Sequence, residues 1–298
     1  MRLTIVFLFF SGLLHAQDPF SVYLEPMDIA GVPGVQSYAY GVDGNKWLVF
    51  GGRIDGLHRR QPFAAFDEDG KNFSIMVIDP VTPGVSITPL DGLAANIVEQ
   101  MSSTNMQYWQ EGNMLYASGG YGWSPSNDEF VTYPFLLAID VPCAIEAVEQ
   151  GLTPVDCIRQ FEYEELAVTG GQLRKIGDVY HLLGGQRFTG AYNPMGPDMG
   201  PGFVQDYTNQ IRRFTLEDDG VNVTLNFLEP FTDADYLHRR DYNVVSQIMP
   251  DGAEGLTAFS GVFQYDNDIP WLHCVNVREG EYEIDLSFSQ YYNHYHCA

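Results

Sequence analysis

The chain has 298 residues, 45% of them hydrophobic and 14% aromatic, which is enough apolar material to exclude a disordered polypeptide. Its 39 acidic residues against 15 basic ones give a net charge of −24, a field that repels polyanions and excludes nucleic acid as a partner. The 30 glycines, 17 prolines, 18 tyrosines and 19 phenylalanines favour short strands joined by many turns.

The first predicted element is a signal peptide over residues 1–16. Arg2 gives it a positive start, residues 3–14 an apolar run, and Ala16 a small residue before a cut at Gln17. The run is too short to span a bilayer, and no later stretch is long enough. The mature chain, 17–298, is therefore expected to be secreted or held at the cell surface. Residues 19–26 (PFSVYLEP) read as an outer strand preceding the first full unit.

Four units then follow, at about 35–95, 101–168, 169–232 and 240–290. Each carries a turn, an apolar strand and a glycine pair: GNKWLVFGGR (44–53), GNMLYASGGYG (112–122), GDVYHLLGGQR (177–187) and GAEGLTAFSGVF (252–263). The first residue of the pair falls at 51, 119, 184 and 260, with Ser260 replacing glycine in the last. One strand precedes each copy (QSYAYGV, MQYW, GGQLRKI, DYNVVSQIM) and two follow it, such as FSIMVIDP and VSITPL in the first unit or PWLHCVNV (270–277) and YEIDLSFS in the fourth. The strand before the pair is apolar on both faces, as an inner strand packed on two sides must be. The single helical candidate is 143–150, bracketed by Cys143 and Cys157, whose pairing would staple that excursion. Cys274 and Cys297 could also pair. The closing segment SQYYNHYHCA reads as the opening strand of a fifth unit, so further strands are expected beyond Ala298.

A four-stranded unit with an apolar strand ending in Gly-Gly resembles the kelch repeat. Over residues 20–298 the chain is similar to β-propellers of the galactose-oxidase-like group, which implies an all-β propeller of about four blades and the start of a fifth. The units are longer than the usual kelch length of roughly 50 residues. Tyr121 and Trp123, in the second unit only, come near the family's aromatic positions after the glycine pair.

Arginines near the glycine pairs are the main candidate ligand-binding residues: Arg53, Arg59 and Arg60 after the first pair, Arg187 after the third, and Arg239 and Arg240 opening the fourth unit. Gathered at a central channel, they would hold carboxylates or sulfated sugars through paired donors; alternatively each pairs with the abundant acids. Tyr121 and Trp123 join them as aromatic candidates. His294 and His296 share one face of a strand and are weak metal candidates without a recognisable third ligand. The acidic run 67–72 reads as a solvated turn, and Asn72 and Asn222 begin glycosylation sequons. No phosphate-cradling loop, G-x-S-x-G elbow or H-E-x-x-H motif is present, and no cofactor is expected. These residues favour a non-catalytic module that binds an extracellular glycan or protein through a loop face, with the long loops 119–130 and 188–206 as the surface. The alternative is a carbohydrate-active enzyme, a sugar epimerase or sialidase-like hydrolase, with arginines and acids in a channel pocket.

Overall fold

A computed structural model describes residues 21–289. It is all-β, with four antiparallel four-stranded sheets. The first sheet orders β1 (Ala39–Asp43), β2 (Lys46–Phe50), β3 (Ser74–Asp79) and β4 (Gly84–Pro89). A helix, α1 (Ala95–Met101), leads to the second sheet, built from β5 (Gln107–Glu111), β6 (Met114–Ser118), β9 (Phe135–Asp140) and β10 (Ile158–Glu162). Between β6 and β9 stands a hairpin of β7 (Tyr121–Ser124) and β8 (Glu129–Thr132), and helix α2 (Val141–Glu149) joins β9 to β10. The third sheet comprises β11 (Gln172–Ile176), β12 (Val179–Leu183), β15 (Gln210–Asp218) and β16 (Val223–Thr232), with a second hairpin, β13 (Gln186–Gly190) and β14 (Phe203–Tyr207), after β12. The fourth orders β17 (Arg240–Ile248), β18 (Glu254–Val262), β19 (Cys274–Arg278) and β20 (Glu281–Asp285).

The first two strands of sheets one to three close on two-residue turns, Asp43 facing Lys46, Glu111 facing Met114 and Ile176 facing Val179. Gly44, Gly112 and Gly177 open these turns at φ 58°, 56° and 55°, as a tight hairpin demands.

The sheets stack face to face, because a strand alternates its side chains between two faces and in sheets two and three each face joins a core. On β6, Leu115 and Ala117 join a core with Leu48, Phe50 and Val77 of sheet one, while Tyr116 joins the next core with Tyr180, Leu182 and Phe214 of sheet three. Leu183 and Ile211 then meet Tyr242, Val244 and Leu256 in a third core. Polar bonds stitch the same junctions. The Gln110 side-chain amide bonds both the N–H (2.7 Å) and the C=O (2.8 Å) of Val42. Arg159 grips Asp218 with two N–H groups at 2.8 and 2.7 Å, and Tyr116 donates to the same carboxylate at 3.0 Å. These donors hold the Asp218 carboxyl below the usual carboxylate range, the Arg159 bond first among the causes.

Cys143 and Cys157 form a disulfide that ties α2 to the start of β10. Their separation of 14 residues makes a small loop, whose closure removes about 3 kcal/mol of chain entropy from the unfolded state. Asp140 caps α2 by accepting from the Cys143 N–H, and Ala144, Ile145 and Val148 seal the first core. Cys274 is a buried thiol without a partner among the described residues.

Four features differ from the sequence expectation. Residues 21–26, expected within an outer strand, are exposed and form none. The two long loops contain the hairpins β7–β8 and β13–β14. Helix α1 forms over ANIVEQM, a segment too short to show helical periodicity. The strand expected over 270–277 starts only at Cys274, because Pro270 has no N–H for a ladder and Trp271 turns aside, its backbone N–H bonding Gly261 and its indole N–H bonding His238. No helix among the described residues is long and apolar enough to cross a membrane. The expected leader at 1–16 lies outside the described residues, as do His294 and His296.

Candidate functional site: the cavity where the first strands meet

The first strands of successive sheets, β1, β5, β11 and β17, lie against one another in sequence order. Register aligns them: Ala39 faces Phe50, Gln107 faces Ser118, Gln172 faces Leu183 and Asn243 faces Phe259. Two residues before each of these positions stands a left-handed residue: Ser37 (φ 58°), Asn105 (56°), Gly170 (67°) and Asp241 (57°). The Asn105 N–H donates to Ser37 O at 3.1 Å and the Gly170 N–H to Asn105 O at 3.1 Å, so equivalent backbone groups link the first three sheets in series.

The repeated pair sits across from these residues, and both of its members are left-handed in every unit, including Ser260 at φ 67° and Gly261 at 103°. Space explains glycine as well as φ: a Cβ on Gly119 would lie 1.9 Å from Val168 O. In the first three units the pair lets the chain leave the sheet where neighbouring sheets come closest, while in the fourth β18 runs on through it to Val262.

A cavity of about 890 Å³ opens at this convergence, within the size range of small-molecule sites. All four first strands line it. Tyr38 and Tyr40 come from the first sheet and Tyr108 from the second, with the Tyr40 and Tyr108 rings edge to face at 5.4 Å. Gln107, Gln110 and Gln172 add amides, and Tyr242 lies at the fourth strand. Burial pushes the Tyr108 and Tyr242 phenols up, so both are neutral at any physiological pH.

Three arginines line the cavity, and each is held differently. Arg53 is clamped by the Asp55 carboxylate at 2.9 and 2.5 Å, donates to Asp67 O and stacks over Phe66 at 3.8 Å. The acidic run 67–72 is thus a turn fastened by Arg53, with the Asp67 carboxylate accepting from the Asp69 N–H. Arg240 meets Asp241 at 3.4 Å and stacks on Phe263 at 4.6 Å. Arg174 donates from Nε to Val244 O (3.0 Å), from Nη1 to Leu173 O (2.8 Å) and from Nη2 to Gln172 Oε1 (3.0 Å). Burial pulls its pKa down from the ordinary value, yet a guanidinium stays charged in a folded protein.

No protein-family model matches the chain, and no curated protein matches it. Among the solved structures that match is one described as "Structure of YjhT", at 10% identity and a TM-score of 0.37, covering 86% of this chain and 84% of that chain. So loose a likeness carries no argument about fold or ligand, and the site is read from its own residues.

Of the candidates from sequence, Arg53, Arg240 and Tyr121 reach the cavity. The Tyr121 hydroxyl donates to Gly190 O at 2.6 Å and accepts from the Tyr192 N–H at 3.0 Å. Trp123 packs edge-on against Phe130, away from the cavity lining. Arg59 and Arg60 are exposed on the loop beyond β2, and Arg187 pairs with Glu164 at the surface. Arg239 is buried among backbone carbonyls rather than offered to a ligand. Among the described residues no three His, Cys, Asp or Glu gather as a metal site. The two sequons part company: the Asn72 amide is buried and bonded to Gly51 O and Ser74 O, while Asn222 is exposed in a turn.

Sequence reasoning missed Arg174, Tyr40 and Tyr108. Their signal was position: all three sit in the first strand of a unit, where a charged or phenolic side chain is out of place in an apolar core.

Proposed function

We propose that the chain is an exported kelch-like β-propeller that binds a glycan in the cavity where its innermost strands meet. The observation that carries this is the convergence of all four first strands on one ligand-sized cavity faced by tyrosines and side-chain amides. Sugars offer C–H faces to aromatic rings and hydroxyls to amides, and this lining presents both. The site favoured here is the cavity rather than the loop face expected from sequence. Catalysis on a sugar needs two proton-transfer groups facing one reacting atom. Of the carboxylate and the imidazole that line the cavity among the described residues, Asp241 is engaged by Arg240 and His58 by the Arg59 carbonyl and the Tyr192 ring, so binding is the reading supported best.

The test is a glycan array probed with the purified chain and with the Tyr40→Ala/Tyr108→Ala variant. Wild type should retain a defined set of glycans, and the variant should bind them about tenfold less well, the loss of two aromatic contacts. Undiminished binding by the variant would place the site elsewhere. Conversion of a retained glycan during incubation, followed by NMR, would favour the enzyme alternative.

A further inference from the structure

We infer that the glycan carries a carboxylate, received by the N–H groups that Arg174 leaves unused; this rests on the glycan reading above. A guanidinium has five N–H donors. Arg174 spends three, one from each nitrogen, on Val244 O, Leu173 O and Gln172 Oε1. One N–H on each terminal nitrogen remains without a protein acceptor among the described residues. All three acceptors are neutral, and among the described residues no ion pair includes Arg174.

The surroundings sharpen this. The protein has 39 acidic and 15 basic residues, yet the cavity is faced by three arginines and one aspartate. Arg53 is answered by Asp55 and Arg240 by Asp241. Arg174 alone of the three keeps an unanswered charge, half-buried on β11 between Tyr108 and Tyr242. A partly desolvated charge is stabilised most by an ion of opposite sign that also accepts hydrogen bonds. In a chain so rich in carboxylates, leaving this guanidinium without one keeps the place for a carboxylate brought by the ligand. The two remaining donors, one per terminal nitrogen, match its two oxygens.

The experiment measures binding of the full chain to the methyl glycosides of glucuronate, galacturonate and mannuronate, to their methyl esters, to the parent neutral glycosides, and to galactose 6-sulfate. Saturation-transfer NMR finds the binders, and calorimetry ranks them. At least one uronate should bind, its ester should bind about 10- to 100-fold more weakly, and Arg174→Gln should bring acid and ester to the same affinity. Esters or neutral sugars binding as well as the acids would overturn the carboxylate and leave the glycan reading standing. Binding of the sulfate ester in preference to every uronate would also overturn it. If neither this panel nor the array yields a ligand, the glycan reading falls and the inference with it. The acid–ester comparison is made on the wild-type chain, so it decides the matter even if the Arg174 variant does not fold.

Discussion

Arg239→Ala should lower the unfolding free energy by about 3–5 kcal/mol, one of the largest single-residue losses available in this chain. The residue is 2% exposed and ties its own loop to β18 and to the segment leading into β19. Its Nε donates to Tyr236 O at 2.7 Å, Nη1 to Ser260 O at 2.8 Å and Nη2 to His273 O at 2.9 Å. The guanidinium also lies over the Trp271 ring at 4.7 Å. Burial pulls its pKa down to about 10, so it remains protonated at neutral pH. Alanine would strip these carbonyls of their donor and open a void beneath Trp271. The substitution Arg239→Met separates the two causes, since it restores most of the volume and none of the donors. Urea unfolding should show both variants far below wild type. A methionine variant within about 1 kcal/mol of wild type would mean that packing, not the carbonyls, is what Arg239 supplies.

Acid should destabilise the fold through His181 by up to about 3 kcal/mol between pH 6.5 and pH 4. The imidazole is fully buried on β12, with Arg174 and Arg213 as its cross-strand partners. Nδ1 donates to Val179 O at 3.0 Å, and Nε2 is buried with no partner among the described residues. Burial, aided by the nearby Arg213 charge, pushes the pKa from 6.5 down to about 4, against the opposing pull of the Val179 carbonyl. The unfolded chain takes up this proton near pH 6.5 and the folded chain only near pH 4. Protonation therefore favours unfolding: the stability is complete above pH 6.5 and is lost as pH falls towards 4. Carboxylates such as Asp218, held below their usual range, add an acid loss of their own at lower pH. Comparing wild type with His181→Phe isolates the imidazole. The wild type should lose about 2–3 kcal/mol more than the variant from pH 7 to pH 4, and parallel pH profiles would show that His181 is not buried as a neutral base.

Much of the architecture was written in the repeat. The apolar strands before positions 51, 119, 184 and 260 became β2, β6, β12 and β18, buried on both faces, and the turn glycines at 44, 112 and 177 fixed three hairpins. Cys143 and Cys157 were legible because they bracket one helical excursion. The hairpins β7–β8 and β13–β14 were not, because their strands are short and their glycines and prolines read as loop. The site was harder still. Arginine beside a glycine pair was a reasonable signal, yet Arg239 is consumed by backbone carbonyls and Arg53 by Asp55. Whether an arginine is spent or spare depends on contacts the linear sequence does not display: Arg239 is consumed by Ser260 O and His273 O, 21 and 34 residues away, while Arg174, held by Val244 O from 70 residues away, meets no carboxylate.

The central claim is that the ligand sits in the cavity and not on the loop face. Hydroxyl-radical footprinting, with and without the tightest-binding glycan, tests it directly. Tyr40 and Tyr108 should be protected, while Met195 and Met199, 49% and 62% exposed on the loop between β13 and β14, should oxidise as before. Protection of Met195 and Met199 with the two tyrosines unchanged would contradict the claim and return the binding surface to the loops.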